Sequence, residues 1–390
     1  MGDARASAPA PKSMQLGVVD DSFLYKSIDS LHAALDLGLR TVRVNAIWTP
    51  PGGLRLADAM QTLAENAHGW DVQVVVAFYP DRARDVPLTD AARQSFCQSA
   101  AHLVLAYPQI TAIIIGNEPN SGSYWQPQFN ADGTPASPAA YFQTAALCYD
   151  LVHAARPSMN VVGPATSSNG NDNPRAATHA GLSPGAFVAA LGKAFRASGR
   201  KTPIFDTIDH HPYPLNAAER PWRKHTDKRV IGEGDYARLL ADYRAAFAGT
   251  AQPVPGRCVA GRCVSLWYTE DGFQTKPDAA HAALYHGTEP DKLALPPDSP
   301  PETGSLPPAA SHAPSQTQQL RDAVSLAYCQ PYVTAFYSFQ LTDESALGGW
   351  QSGLLWVNGA HKPSYDLFRQ LTYAARAGAI DCSRYAPALR

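Results

Sequence analysis

The stretch Thr111-Ala112-Ile113-Ile114-Ile115-Gly116-Asn117-Glu118-Pro119-Asn120 passes abruptly from a short apolar run to polar residues. An apolar run of this length, bounded by Gly and Pro, predicts a β-strand buried on both faces, as the strands of parallel sheets are. A carboxylate is rarely buried without a partner, so the strand is expected to end near Gly116. Glu118 therefore follows a core strand at the point where the chain leaves the sheet.

Seven further short runs surround this one in sequence, and amphipathic helical stretches separate them. Strand and helix alternating eight times is typical of a (β/α)8 barrel, or TIM barrel. We therefore predict an α/β fold that consists of a single TIM barrel with long strand-to-helix loops. The eight predicted strands are Met14–Val19, Thr41–Ile47, Val72–Phe78, Thr111–Gly116, Asn160–Gly163, Phe205–His210, Val264–Thr269 and Val333–Phe339.

Loop lengths differ between the two ends of the predicted barrel. The connections from helix to strand are short, such as residues 38–40, whereas those that leave the strands are long, such as residues 117–137 and 212–234. The long loops are rich in Pro, Gly, Asn and Trp. In TIM barrels the strand-to-helix loops build the functional face. The end of the barrel that carries Glu118 is therefore predicted to be the functional end.

The predicted barrel covers residues 14–390. The segment Gly287–Thr317 is rich in proline, which is typical of either an interdomain linker or a long loop. We favour a loop after the seventh strand, because the remaining chain supplies only the helix, strand and final helix that the barrel still needs. We expect this loop to lie over the barrel mouth. Residues 1–13 are predicted to be a disordered leader, rich in Ala and Pro and without the apolar core of a signal peptide.

The composition argues against several classes of function. The chain has 390 residues, of which 45% are hydrophobic and 17% charged, and its net charge is −2. No basic stretch is interleaved with aromatic residues, so a nucleic acid or an anionic membrane surface is not an expected partner. No apolar run is long enough to cross a bilayer. The sequence leaves the oligomeric state open.

The cysteines bear on the cellular compartment of the protein. They show no paired CxxC spacing, which argues against a zinc site. Two of them lie mid-helix in neighbouring helices, two flank a short turn, and two lie at the same end of the barrel. The alternative is six buried thiols. Disulfides favour a secreted or extracytoplasmic protein whose signal peptide is absent from this sequence, rather than a cytosolic chain with a frayed tail. The predicted pairs are Cys97–Cys148, Cys258–Cys263 and Cys329–Cys382.

A second glutamate ends another predicted strand. Ser265-Leu266-Trp267-Tyr268-Thr269-Glu270 is followed by Asp271 and by Gly272, which lets the chain turn. Hydrolysis of a glycosidic bond with retention requires two carboxyl groups about 5–5.5 Å apart, one to protonate the leaving oxygen and one to attack the anomeric carbon. The tips of two barrel strands provide such a pair. The alternatives are a capping or surface role for Glu118, and Asp271 as a rival to Glu270.

Asn117-Glu118-Pro119 and Thr269-Glu270-x-Gly272 resemble the signatures of the large clan of retaining (β/α)8 glycoside hydrolases, clan A. This clan includes cellulase-, β-xylosidase-, β-galactosidase- and xylanase-type families. The resemblance implies that Glu118, after strand four, is the general acid/base and that Glu270, after strand seven, is the nucleophile. It also implies that Asn117 binds the 2-hydroxyl of the sugar.

Further motifs agree with this resemblance in order and position. Arg43 resembles the second-strand arginine that holds the nucleophile ionised. His211 and Tyr213 resemble a sixth-strand His-x-Tyr element, whose tyrosine hydrogen-bonds the nucleophile. Residues 351–355 and 362–366 resemble the last loop and the final helix. The resemblance spans about residues 14–376, and its two glutamate motifs are specific only together and in order.

Tryptophans in the loops are candidate platforms for a sugar ring, because an indole stacks on a pyranose face. The predicted eighth strand lacks the tryptophan that many members of the clan use, and Trp350 is its candidate replacement or packs under its loop. Trp48, after strand two, and Trp125, after strand four, are further candidates. Asp20-Asp21 is equally compatible with hydroxyl binding and with a turn. The Asn169–Asn173 run is interpreted as a turn.

The sequence thus predicts a retaining glycoside hydrolase that cleaves a β-type or equivalent glycosidic bond through a covalent glycosyl-enzyme. The expected substrate is an oligosaccharide, a polysaccharide or a glycoside, and no cofactor or metal is expected. A transglycosidase with the same site is one alternative. A degenerate carbohydrate-binding protein is another, although the presence of Glu118, Glu270, Arg43 and Tyr213 argues against decay. The sugar, the linkage and exo or endo action stay open.

Overall fold

The computed structural model describes residues 12–176, 178, 180–298, 306 and 313–389. Eight parallel strands pair in sequence order, and β1 pairs with both β2 and β8, which closes the sheet. The prediction of a single (β/α)8 barrel is confirmed. The strands are β1 Gln15–Val19, β2 Thr41–Thr49, β3 Gln73–Pro80, β4 Ile110–Ile115, β5 Asn160–Ser167, β6 Thr207–His211, β7 Leu266–Asp271 and β8 Val333–Phe339.

A long helix follows each strand and covers the outside of the barrel. Several of these helices begin at a residue whose side chain accepts a bond from a free backbone N–H, such as Thr89, Ser183 and Ser315. Among the described residues no helix is long and apolar enough to cross a membrane. The helices are α1 Ser27–Asp36, α2 Ala57–Gly69, α3 Asp90–Ala106, α4 Ser137–Ala155, α5 Pro184–Ser198, α6 Tyr236–Ala246, α7 Gln316–Cys329 and α8 Pro363–Ala377.

Apolar side chains fill the barrel, so its interior is a packed core rather than a pore. Side chains alternate along each strand between the interior and the helix layer. Val75 and Ala77 of β3 face the interior and lie in register with Arg43 and Asn45 of β2. The polar inward-facing residues near the strand ends therefore gather above this core. Among the members of the inner cluster are Val19, Val75, Ala77, Ala112, Ile114, Val162, Ala335 and Tyr337.

All six cysteines are paired, and the three predicted disulfides are confirmed. Cys97–Cys148 joins α3 to α4. Cys258–Cys263 closes a turn before β7, and Cys329–Cys382 ties the end of α7 to the segment after α8. Disulfides persist in oxidising compartments. They are compatible with the predicted export, which stays a prediction.

The described parts of the proline-rich loop lie in two places. Lys292, in the short helix Pro290–Leu293, donates from Nζ to Gln351 Oε1 at 2.8 Å, in the loop that follows β8. Leu306 instead packs beside α7, where it joins the apolar cluster of Trp222, Leu326 and Tyr385. The expectation that the loop lies over the barrel mouth stays a prediction. Residues 299–305 and 307–312 lie outside the described part of the chain, as do residues 1–11 of the predicted leader.

Candidate active site

A cavity of about 540 Å³ opens at the carboxyl ends of the barrel strands. This is the end at which TIM barrels hold their functional residues. The two predicted glutamates, Asn117, Tyr213 and Trp350 line it, while Arg43 and His211 lie beneath. The cavity lining is Asn45, Tyr79, Asn117, Glu118, Ser121, Tyr124, Ser167, Ser168, Asn169, Gly170, Asn171, Gly181, Tyr213, Glu270, Phe339 and Trp350.

Glu270 is held as a carboxylate by two donors. Arg43 Nη1, buried on β2, forms a hydrogen-bonded ion pair with Glu270 Oε1. The Tyr213 hydroxyl donates to Glu270 Oε2 at 3.0 Å. Burial alone would raise the pKa of Glu270, but the Arg43 charge, followed by His211 and the Tyr213 hydrogen bond, holds that pKa below its usual range.

Asn117 is oriented by the same guanidinium. Arg43 Nη2 donates to Asn117 Oδ1 at 3.1 Å. Because the amide oxygen faces Arg43, the amide NH2 group points away from it, into the cavity that Asn117 lines. Asn117 therefore presents a fixed donor beside Glu118.

Glu118 stands on a strained turn at the end of β4. Its backbone is in the left-handed region, with φ of 39°, and Gly116 before it has φ of 82°. That conformation costs a non-glycine residue about 1–2 kcal/mol. The turn is held by a bond of 3.0 Å from Glu118 N to Ala165 O on β5. Burial raises the pKa of the Glu118 carboxyl, although the hydrogen bond from His211 acts in the opposite direction.

His211 is fixed by a chain of buried hydrogen bonds. Asp209 accepts from the backbone N–H of Thr269 at 3.2 Å and from Thr269 Oγ1 at 2.6 Å. Since the threonine hydroxyl donates its proton to Asp209, it accepts from His211 Nε2, which lies 3.1 Å away. The opposite ring nitrogen, Nδ1, lies 3.1 Å from Glu118 Oε1. His211 and Glu118 are thus placed to share one proton.

The two glutamates and His211 lie close enough to act together. One oxygen of Glu118, one oxygen of Glu270 and a ring nitrogen of His211 all lie within 4.8 Å of one another. These are also the donor types of a metal site. However, Glu270 already contacts the buried Arg43 guanidinium, and a dication there would lie beside a positive charge. We interpret the group as an acid–base cluster.

Two of the three predicted sugar platforms are wrong. Trp48 is 1% exposed and packs on Phe96 of α3, with ring centroids 5.3 Å apart. Trp125 is 2% exposed and packs on Tyr141 of α4, with centroids 5.5 Å apart. Both rings belong to the hydrophobic core and offer no face to a sugar.

Trp350, in contrast, lies at the cavity and is 36% exposed. Its ring contacts those of Tyr213 and Phe339, with centroid distances of 5.3 and 5.2 Å. The side chain is therefore placed to meet a ligand bound beside Glu270.

Sequence reasoning missed several neutral residues of the lining. Asn45 and Tyr79 were detectable, because Asn45 lies two residues beyond Arg43 on β2 and Tyr79 is in register with Ile47. Both therefore face inward. The serines of the β5 loop and Tyr124 of the β4 loop carried no pattern that placed them in the cavity.

The aspartates after β1 take supporting roles. Asp20 Oδ2 accepts from the backbone N–H groups of Leu341 and Thr342 at 3.1 and 2.9 Å, which ties β1 to the loop after β8. Asp21 accepts from both the backbone and the side chain of Asn45, at 2.9 and 3.2 Å. Asp20 thus anchors the loop after β8, and Asp21 orients Asn45, which lines the cavity.

A scan against protein-family models and a search of curated protein sequences each gave no match. Solved structures do match the fold. A β-glucosidase from Thermotoga maritima in complex with deoxynojirimycin has a TM-score of 0.55 and 9% identity, covering 95% of this chain and 99% of that one. The AHE enzyme from Alicyclobacillus herbarius gives the same TM-score and coverage at 13% identity.

Longer proteins match in part. A glucosidase from Croceicoccus marinus matches with a TM-score of 0.53 and 12% identity over 88% of this chain, and this chain spans 63% of its length. A β-glucuronidase from Lactobacillus rhamnosus matches over 93% of this chain and half of its own. At such identities the likeness establishes the fold. The chain has the TIM-barrel fold found in glucosidases and related glycoside hydrolases, as its two glutamate motifs predicted.

Proposed function

We propose that this protein is a retaining glycoside hydrolase, with Glu270 as the nucleophile and Glu118 as the general acid and base. The observation that carries the proposal is the pair of carboxyl groups with oxygens within 4.8 Å of each other and opposite pKa shifts. Retaining enzymes place these groups about 5–5.5 Å apart, whereas inverting enzymes need about 6.5–9.5 Å to admit a water.

In the first step Glu270 attacks the anomeric carbon while Glu118 gives its proton to the departing oxygen. The bond from carbon to the leaving oxygen breaks, and an ester bond to Glu270 forms. Arg43 and Tyr213 keep Glu270 ionised for this attack. The hydrogen bond between His211 Nδ1 and Glu118 Oε1 fixes the orientation of the Glu118 carboxyl group.

In the second step a water attacks the ester, and Glu118 takes its proton. Once Glu270 is esterified its negative charge is gone, so the pKa of Glu118 falls and Glu118 becomes a base. Each step inverts the anomeric carbon, and the net result is retention. The Asn117 amide donor is placed to bind a sugar hydroxyl next to the reacting carbon.

A β-glycoside is the proposed substrate, with Trp350 as the platform for its sugar ring. The matched structures from Thermotoga maritima and Lactobacillus rhamnosus are named as a β-glucosidase and a β-glucuronidase, which supports this choice. The proposed reaction uses side chains and a water molecule, and needs no cofactor. We also propose that the protein is exported to an oxidising compartment, because it has three disulfides.

The test is the stereochemistry of the first product. Aryl β-glycosides of gluco, galacto and xylo configuration are incubated with the enzyme, and proton NMR follows the released sugar before mutarotation. We expect the β-anomer to form first. Glu270→Ala, prepared in parallel, controls for contaminating activity. Initial release of the α-anomer would contradict both the retaining mechanism and the role of Glu270.

A further inference from the structure

Asp209 is a buried carboxylate that no step of the proposed reaction uses. It lies on β6, two residues before His211. Its Oδ1 accepts from the backbone N–H of Thr269 at 3.2 Å, and its Oδ2 accepts from Thr269 Oγ1 at 2.6 Å. His211 Nε2 is 4.0 Å from Asp209 Oδ2 but 3.1 Å from Thr269 Oγ1. Asp209 therefore acts on the histidine through the threonine hydroxyl.

The direction of this hydrogen-bond chain fixes one proton on His211. A hydroxyl has a single proton, and since Thr269 gives it to Asp209, its oxygen accepts from His211 Nε2. Nε2 therefore carries a proton whether or not Nδ1 does. A second proton lies between Nδ1 and Glu118 Oε1, which are 3.1 Å apart. His211 and Glu118 together hold these two protons, and only the second can pass to a leaving oxygen.

We propose that Asp209 is a positioning residue of the reaction: through Thr269 it keeps a proton on His211 Nε2, and it thereby keeps the second proton on the pair formed by His211 and Glu118. This inference rests on the proposed function, in which that second proton is the one given to the leaving group. Its charge acts in the same direction as its hydrogen bonds. Burial would lower the pKa of His211, but the charges of Glu270 and Asp209 and the bond to Glu118 raise it.

Other charged groups face the His211 ring, and every variant below leaves them in place. Glu270 Oε2 lies 3.6 Å from Nδ1 and belongs to the carboxylate that pairs with Arg43. Burial raises the pKa of Asp271 to about 8, so Asp271 titrates alike in every variant. Burial lowers the pKa of His210 to about 4, which leaves that ring neutral. The neighbouring tyrosines, whose pKa burial raises, are Tyr141, Tyr213, Tyr243 and Tyr337.

Asp209→Asn reverses the chain without a change in side-chain size. The backbone N–H of Thr269 holds the amide oxygen at the Oδ1 position, which leaves the NH2 group facing Thr269 Oγ1. The threonine hydroxyl then accepts from the amide and donates to His211 Nε2, so Nε2 loses its proton. The one ring proton moves to Nδ1, where it bonds an ionised Glu118. The pair therefore releases its second proton at a lower pH.

Two measurements test this inference. ¹⁵N NMR at pH 6 distinguishes a protonated from an unprotonated Nε2 of His211, whose signals are assigned by their loss in His211→Gln. We expect a protonated Nε2 in the wild type and an unprotonated one in Asp209→Asn. The second measurement is the pH profile of kcat/KM on phenyl β-glycosides of gluco, galacto and xylo configuration, whose leaving oxygen needs a proton. The basic limb reports the loss of the second proton from the pair. It should move to lower pH by about one pH unit in Asp209→Asn.

Asp206→Asn is the matched control. Asp206 precedes β6, and it also accepts from a backbone N–H, that of Val161, and bonds a histidine, His153. It lies at the amino end of the strand, so its basic limb should match that of the wild type. Thr269→Val removes the hydroxyl and should move the limb in the same direction as Asp209→Asn. Thr269→Ser keeps the hydroxyl and should leave the limb in place. If Asp209→Asn does not fold, as judged by circular dichroism, the two Thr269 variants decide the same question.

The outcomes separate this inference from the proposed function. An unprotonated Nε2 in the wild type would mean that Asp209 itself carries the proton of its bond to Thr269, and it would overturn the inference. A basic limb that stays in place in both Asp209→Asn and Thr269→Val would also overturn it, while the hydrolase function stands. Failure of the wild type to hydrolyse any of the glycosides would overturn the proposed function and the catalytic part of the inference. The NMR result would still decide where the Nε2 proton lies.

Discussion

Glu118 and Glu270 present carboxyl oxygens within 4.8 Å of each other, and their surroundings shift the two pKa values in opposite directions. Burial acts on both groups and would raise both values. At Glu270 the charges of Arg43 and His211 and the hydrogen bonds from Arg43 and Tyr213 together outweigh burial, whereas at Glu118 the effect of burial prevails. Two carboxyl groups in such unlike environments take different roles, one as a base or nucleophile and one as an acid.

The first prediction separates these roles by leaving group. Glu270→Ala should lose activity on every substrate, because the attacking atom is gone. Glu118→Ala should lose activity on substrates with poor leaving groups and retain much of it on 2,4-dinitrophenyl glycosides, whose phenolate departs without a proton. Added azide, a small nucleophile that needs no base, should restore turnover in Glu118→Ala. The measurement is kcat on both substrate classes with and without azide.

Loss of the same size on all substrates in both variants would contradict this division of roles. Circular dichroism of each variant checks that the fold is intact. Glu289→Ala is a matched control, because Glu289 precedes the short helix in the loop after β7 and is not part of the cavity that holds Glu118 and Glu270.

The second prediction concerns the pH profile of kcat/KM, which should be bell-shaped. Glu270 must be ionised, so activity is lost as pH falls through its pKa, which lies below the usual 4.5. Glu118 must be protonated, so activity is lost as pH rises through its pKa, which lies above 4.5. In Arg43→Gln the cation that lowers the pKa of Glu270 is removed, and the acidic limb should move to higher pH.

Arg55→Gln is the control for the second prediction, because Arg55 forms an exposed ion pair with Asp81. Its profile should match that of the wild type. An acidic limb that stays in place in Arg43→Gln would mean that Arg43 does not set the ionisation of Glu270.

The third prediction concerns the hydrogen bond from Tyr213 to Glu270. A hydrogen bond to a charged group contributes about 1.5–3 kcal/mol. Tyr213→Phe should therefore lower kcat roughly 10- to 100-fold. Tyr285→Phe is the matched control, because the Tyr285 hydroxyl also donates to a carboxylate, Asp343, at 2.6 Å. A similar loss of kcat in Tyr285→Phe would assign the effect to the loops rather than to Glu270.

The barrel and the two glutamates at its mouth were predictable because the same local signal defines both. The apolar run of β4 ends just before Glu118, as this pattern predicts, whereas β7 continues past the predicted end at Thr269 and includes Glu270 and Asp271. The inward direction of Arg43 also follows from alternation along β2. These features depend on neighbours in sequence.

The prediction that Trp48 is a sugar platform was wrong because the second strand is longer than predicted. The predicted second strand ended at Ile47, which left Trp48 in a loop, but β2 continues to Thr49. Because Arg43 faces inward, Trp48 faces outward and meets α3. Trp125 was misplaced because its direction depends on how a long loop folds over Tyr141, which no local pattern reports.

The fourth prediction contrasts an exposed tryptophan with a buried one. Trp350→Ala should raise KM roughly tenfold, because stacking of a ring on an aromatic face contributes about 0.5–1.5 kcal/mol beyond its buried area. Trp48→Ala should instead lower the free energy of unfolding by about 3–5 kcal/mol, through the cavity it leaves beside Phe96. Urea unfolding and steady-state kinetics on both variants check this. A rise in KM in Trp48→Ala and not in Trp350→Ala would mean that Trp48, rather than Trp350, is the sugar platform.

The fifth prediction concerns Asp271, the residue next to Glu270, the proposed nucleophile. Strand alternation turns it away from the side of the sheet that Glu270 faces. It is 1% exposed, and its Oδ1 has no hydrogen-bond partner among the described residues. Burial raises its pKa to about 8, against the opposing effects of the Gly272 N–H and of His211. Asp271 is therefore expected to be a neutral acid in the folded protein below that pH, and not a nucleophile.

A raised carboxyl pKa makes stability depend on pH. Between pH 4 and pH 8 the unfolded chain releases the Asp271 proton and the folded protein keeps it. The free energy of unfolding should therefore fall as pH rises through this window, by up to about 1.4 kcal/mol per pH unit from this group. Asp271→Asn stays neutral at every pH, so its stability should fall less steeply.

Urea unfolding at pH 5 and pH 8 measures this, with Asp81→Asn at the surface as the control. Equal slopes for Asp271→Asn and the wild type would mean that Asp271 is already ionised in the folded protein. Loss of all activity in Asp271→Asn at pH 5 would again make Asp271 a candidate for the nucleophile in place of Glu270.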